Sequence, residues 1–292
     1  MKSTLIKFPV AAALLLSTLN PQLSTFAQGS LTPPGAPAPT MKTLDQIEAR
    51  TPISSAPYTI NNPGSYYLTT NLNVTGGNAI TINASQVTLD LGGFTIFSTA
   101  PGGSGFAIGL LSATGNTDIT IRNGHIKGGI TNNAGAFNGP GFNVGIGFSS
   151  SLPSSVRVSG ISVSGCLSHG IYLFTGNSTV VESCTVSTVG STGISADTVS
   201  HCTANICGSY GINATIASDC LGYAIGAGTG LYATTANNCY GQSSSGTGLS
   251  VIGSAIGCYG QSVSGVGVSA HIANSCTVGG GTTNITFKYN MP

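Results

Sequence analysis

Charge is what this sequence lacks most. Only 5% of its 292 residues are charged, against about 25% in an ordinary globular domain. A chain so poor in charge suggests a membrane protein, yet no apolar run reaches the ~18 residues that a bilayer-spanning helix needs. Ser, Thr, Gly and Asn interrupt every stretch, so a helical transmembrane protein is excluded. Disorder is excluded as well, because Ile, Val and Leu recur at strand spacing throughout. Surface polarity therefore falls to hydroxyls and amides. Residues 1–27 read as a secretory leader, with Lys2 and Lys7 at its start, a short apolar core from Val10 to Leu16, and Thr25-Phe26-Ala27 as the cleavage signature. Without them, six basic residues face seven acids. No basic field is left to hold nucleic acid, and the expected location is periplasmic or extracellular.

What is present is a repeat. Cysteine returns at Cys184, Cys202, Cys220, Cys239, Cys258 and Cys276, always after 18 or 19 residues. A second beat runs Gly193-Ile194-Ser195-Ala196, Gly211-Ile212-Asn213-Ala214, Gly230-Leu231-Tyr232-Ala233, Gly248-Leu249-Ser250-Val251 and Gly267-Val268-Ser269-Ala270. A third falls three residues before each cysteine, at Val181, Val199, Ala217, Ala236, Ala255 and Ala273. Such a short period means one small unit stacked on copies of itself, each unable to bury its apolar face alone.

The rest of the chain divides around this array. Residues 28–40, with Pro33, Pro34, Pro37 and Pro39, read as an extended tether. Residues 41–57 are expected to cap the array through a short amphipathic helix over 43–50, where Leu44 and Ile47 share one face and Pro52 marks the stop. From residue 58 to 292 the pattern is that of strands. In Asn78–Ile82 and Val87–Ile96 apolar and polar residues alternate, which turns Ile80, Ile82, Val87, Leu89 and Leu91 inward. The phrase recurs at Ile119–Ile126 and Val156–Val163. Coils are irregular to about residue 165 and regular afterwards.

Eighteen residues per coil suit two solenoids. A left-handed β-helix needs three hexads, and the sixes from Cys184 (Gly190, Ala196, Cys202, Gly208, Ala214, Cys220) match it in part; the 19-residue coils break that phase. The phrases Ala79–Ile82, Val87–Ile96 and Ile121–Ile126, followed by the Cys and Gly-Ile beats, resemble the right-handed parallel β-helix repeat proteins of the pectate-lyase-like superfamily over about residues 58–290. The resemblance implies an all-β, single-stranded right-handed parallel β-helix. That fold is shared by pectate lyases, polygalacturonases, tailspikes and many exported proteins without assigned activity.

The cysteines are expected to point inward. Residues one coil apart in such a stack lie about 4.8 Å apart with parallel Cβ vectors, whereas a disulfide turns its side chains toward each other with Cβ atoms about 3.8 Å apart. A ladder of reduced thiols is one outcome and one or more disulfides the other; Cys207, off the ladder, leaves a further pairing open. His201 and Cys202 are adjacent and face opposite ways, so no metal site is expected there, and no cofactor either.

Three sets of residues carry the candidate chemistry. The pectate lyases and polygalacturonases use clustered carboxylates. Here Asp45, Asp90, Asp118, Asp197, Asp219, Glu48 and Glu182 fall at different phases of the repeat, so neither constellation transfers. Stacking Val87–Leu89 on Ile119–Ile121 and on Val156–Val158 sets Asp90 beside Arg122, with His125, Lys127 and Arg157 close by, a patch suited to an acidic sugar. Arg122, His125, Lys127 and Asp90 are also the candidates for catalysis by a polysaccharide lyase or glycoside hydrolase. The third set is Tyr240 with Gln242 and Tyr259 with Gln261, two nearly identical repeats whose tyrosines face out and offer a sugar ring an apolar face and hydrogen-bond partners. The expected role is non-catalytic: binding extracellular or cell-surface polysaccharide, or serving as a structural module. Flat Ser/Thr-rich faces would also suit an ice-binding or adhesin-like role.

Overall fold

A computed structural model describes residues 49–291. Among them every regular element is a β-strand, and none is a helix long and apolar enough to cross a membrane. The expected secretory leader and tether lie outside the described residues, as does nearly all of the helix expected over 43–50. The described end of that capping segment holds the strand Thr51–Ile53 instead. Ile53 is fully buried, paired with Leu68 of the next coil. The stack therefore begins some residues before 58, because Ile53 already fills an inward position.

The fold is a parallel β-solenoid built from three stacks of strands. The first sheet carries Gly64–Leu68, Val87–Asp90 and their successors. Its inward column runs Leu89, Ile121, Val158, Val181, Val199, Ala217, Ala236, Ala255 and Ala273, each in register with the next. The stacking expected for Val87–Leu89 on Ile119–Ile121 on Val156–Val158 is the one observed. The third sheet holds the Gly-Ile beat, with Ile146, Ile171, Ile194, Ile212, Leu231, Leu249 and Val268 in one inward column. The second sheet follows the cysteines and holds Thr95–Ser98, Thr185–Val189, Tyr240–Ser243 and Tyr259–Ser262.

A single backbone device makes the corner between the first and second sheets. The residue before each ladder cysteine, Ser183, His201, Asp219, Asn238, Gly257 or Ser275, has φ between 51° and 60°. Asn123 and Gly160 occupy the same corner in earlier coils at 60°. Small polar residues and glycine tolerate this left-handed conformation best. One such residue turns the chain while leaving the next side chain inside, and that next residue is the cysteine.

All eight cysteines are buried and unbridged. The ladder thiols donate to backbone carbonyls: Cys202 Sγ to Ser200 O at 3.1 Å and Val181 O at 3.5 Å, Cys220 Sγ to Ser218 O at 3.0 Å and Val199 O at 3.4 Å. Cys207 is separated from Cys166 by Val189, which lies in register with both. Two coil steps, about 9.6 Å, exceed what a disulfide can span. Burial pushes the Cys166 and Cys207 thiols up to about 12, so both stay protonated and inert.

Candidate binding surface

Asp90 sits at the end of the first-sheet strand Val87–Asp90, opposite Arg122. Its Oδ2 meets Arg122 Nε at 3.1 Å and Arg50 Nη1 at 3.7 Å. Its Oδ1 accepts from Gly92 N–H at 3.0 Å and from Asn123 Nδ2 at 3.4 Å. Arg50 also lies over the Tyr67 ring, 4.7 Å from its centroid. Oδ1 is thus committed to the corner at Gly92 and Asn123, and Oδ2 to the two arginines. Arg157 shares the first sheet but pairs with Glu182, Nη1 to Oε1 2.8 Å, on exposed surface.

His125 and Lys127 follow the corner at Asn123-Gly124 and so belong to the second sheet. His125 lies opposite Thr95 and Ser162, Lys127 opposite Phe97 and Ser164. The expected single patch is therefore divided: Asp90, Arg122 and Arg157 on one sheet, His125 and Lys127 on the next. Lys127 lines a groove of about 480 Å³ together with Asn71, Thr95, Phe97, Ser98 and Pro140. Its lining combines an aromatic ring and a cation, side by side on the sheet, with amide and hydroxyl groups around them.

Tyr240 and Tyr259 also stand on the second sheet, in register, as do Gln242 and Gln261. The two rings stack 5.0 Å apart at an interplanar angle of 3°. Tyr240 Oη reaches Gln261 Oε1 at 2.8 Å and Gln242 Oε1 at 3.3 Å, which fixes both amides beside the rings. A side chain on Gly279 would occupy the place of the Tyr259 hydroxyl, 1.7 Å from where its Cβ would stand. From His125 the register passes through Ser162, Thr185, Thr203 and Leu221 to Tyr240. Five steps of about 4.8 Å span roughly 24 Å. Residues singled out separately in the sequence thus share one outward face.

A further cluster escaped the sequence reading. On the third sheet Phe148 stacks near Tyr172, centroids 5.9 Å apart at 12°, and His169 lies 4.1 Å from the same ring at 21°. Phe174 meets Tyr172 edge-on at 5.8 Å. His169 Nδ1 accepts the Thr192 N–H at 3.3 Å, and burial lowers its pKa. Phe174 is 44% exposed at φ 65°, a costly conformation for an aromatic residue. Asp197 secures the loop behind it, accepting the N–H groups of Gly176, Asn177 and Thr179 and the Thr215 hydroxyl. Burial alone would raise the Asp197 carboxyl; these hydrogen bonds outweigh it and hold the carboxyl below its usual value. The signal available was the spacing of His169, Tyr172 and Phe174, with the inward Ile171 and Leu173 among them.

Among the described residues, no group of three or more His, Cys, Asp or Glu could hold a metal ion. Comparison with protein-family models, with curated proteins and with solved structures finds no match to this chain.

Proposed function

We propose that this chain is an exported, right-handed parallel β-solenoid that binds extracellular or cell-surface polysaccharide along its second sheet, without transforming it. The observation that carries this reading is the placement of the Lys127 groove and the Tyr240–Tyr259 stack on one continuous sheet. Tyrosine and phenylalanine rings present apolar faces to sugar C–H groups, and the adjacent amides and hydroxyls supply hydrogen-bond partners. Lys127 adds a point charge for a uronate or another acidic sugar. The stretch between them carries Ser162, Ser164, Thr185, Ser187 and Thr203, small groups that leave the face open to an extended chain. Catalysis by Arg122, His125, Lys127 and Asp90 draws less support: the Asp90 carboxylate is occupied by four partners, and a corner divides the set.

The test is affinity electrophoresis of the mature protein through gels containing acidic and neutral polysaccharides, with product analysis on the same glycans. Replacing Tyr240 and Tyr259 together by alanine is expected to weaken retention about tenfold, equivalent to ~1.4 kcal/mol. Lys127→Ala is expected to weaken retention on the acidic glycans alone. Unchanged retention in the tyrosine variant, or release of unsaturated or reducing ends by the wild type, would overturn the reading.

A further inference from the structure

The outer face of the third sheet carries a column that the second-sheet site does not use. In register it runs Tyr172, Ser195, Asn213, Tyr232, Ser250 and Ser269. Tyr172 belongs to the cluster with Phe148, His169 and Phe174, and Tyr210 meets Tyr232 edge-on at 6.0 Å. Two aromatic platforms thus stand three coil steps apart, roughly 14 Å. Beyond the second, Ser250, Ser269, His271 and Asn284 line a groove of about 300 Å³. The sequence has no Lys or Arg between Arg157 and Lys288. The one carboxylate beside the column, Asp197, is taken up by the N–H groups of its loop.

Between the platforms lies an orphan. Among the described residues, the Ser195 hydroxyl is the one buried side-chain oxygen or nitrogen without a hydrogen-bond partner, and a buried polar group left unpaired is unfavourable. Alternation with the inward Ile194 and Ala196 turns Ser195 toward the outer face, between the half-buried Tyr172 and Asn213. Alanine would fill the position without the penalty. A ligand hydroxyl that enters as the Tyr172 ring swings aside would remove it. A saturated sugar ring offers C–H faces to the tyrosines and hydroxyls to Ser195 and Asn213, and one coil step is close to the advance of one pyranose residue in an extended chain. We propose that the third sheet is a second binding track, which takes an uncharged, extended oligosaccharide across Tyr172, Ser195, Asn213 and Tyr232. It shares no residue with the second-sheet site, so the solenoid presents two glycan faces of different charge preference.

Calorimetric titration of the Tyr240→Ala/Tyr259→Ala protein, which lacks the second-sheet stack, tests this with cellohexaose, xylohexaose and mannohexaose as probes. At least one of them is expected to bind, and hexagalacturonate, which meets no cation on this face, about tenfold more weakly or less. Adding Tyr232→Ala is expected to weaken binding about tenfold; if that variant is not recovered folded, Tyr232→Leu, which keeps the bulk and loses the ring, is expected to do the same. Ser195→Ala is expected to weaken binding several-fold and yet to raise the urea midpoint, a combination that a purely structural serine would not give. Failure of all three neutral probes to bind, equal binding of hexagalacturonate, binding untouched by the Tyr232 and Ser195 changes, or a lowered midpoint in Ser195→Ala would each overturn the proposal. None of these results would touch the second-sheet site, whose own test is retention on acidic polysaccharide.

Discussion

The coils before and after Val181 solve the same packing problem in opposite ways. Before it, Leu89, Ile121 and Val158 fill the first-sheet column, and the register steps across 32 residues and then 37. After it, the column narrows to Ala217, Ala236, Ala255 and Ala273, and the steps settle at 18 or 19. Strand pairing sets one coil spacing throughout, so the extra residues of the early coils leave the stack as connecting segments. The hairpin Thr131–Asn133 with Ala136–Asn138 and the chain near Pro140 beside the Lys127 groove leave it in this way. The late coils are thin, and their corners are closed by buried hydroxyls: Ser243 Oγ donates to Gly228 O at 2.6 Å and Ser262 Oγ to Gly246 O at 2.8 Å. Irregularity leaves room for a groove, and regularity leaves only a flat face.

The largest effect expected from this contrast is at Gly248. A Cβ there would stand 2.4 Å from Gln261 O and 2.5 Å from Gln261 N, both backbone atoms of the adjacent coil. Gly248→Ala is expected to cost about 4 kcal/mol or more, whereas Gly76→Ala, with nothing within 4 Å, should stay within about 0.5 kcal/mol. Urea unfolding midpoints check both; similar midpoints would mean that the late coils are not the tighter half.

A smaller pair of effects should follow opposite changes of size along one column. Ile121→Ala is expected to cost about 3 kcal/mol through the cavity it leaves. At Ala236 only a methyl could be removed, and enlargement is the harm: Ala236→Leu should cost about 2 kcal/mol by overpacking. If Ala236→Leu were neutral by the same unfolding assay, the interior would be loose rather than narrow.

The smallest effect lies at the seam, on the Asp197 loop. Its carboxyl is held below the usual value by hydrogen bonds it has only when folded. Its contribution is therefore complete above the ordinary aspartate range and is lost as pH falls through the lower folded value. Amide exchange at Gly176 and Thr179 should accelerate in acid relative to the intrinsic rate, and Asp197→Asn should show that acceleration already at neutral pH. Exchange in Asp197→Asn that matches wild type at pH 7 would remove the carboxylate from the loop's support.

The same contrast explains what could be read in advance. The late coils were legible because each position repeats: the inward cysteines and the Tyr240–Tyr259 stack are where the period places them. Early register was legible too, since Val87, Ile119 and Val156 open similar phrases. The corner was not. Ile119–Ile126 reads as one strand, yet Ile126 falls out of phase with Ile119 and Ile121 because the left-handed Asn123 before Gly124 turns the chain, carrying His125 and Lys127 away from Arg122. Asn-Gly is itself a turn signal, as are Ser183, Asp219, Asn238, Gly257 and Ser275 before five of the ladder cysteines. The Phe174 loop was beyond reach because its support, Asp197, comes from the following coil.

The thiol ladder also keeps time. A solenoid grows by docking each coil on its neighbour, and each docking hides one cysteine from solvent. A brief pulse of alkylating reagent during refolding, followed by mass analysis, would therefore record how far the stack had grown. Cys184 and Cys276 report from opposite ends of the ladder, so the order in which they become unreactive gives the direction of assembly.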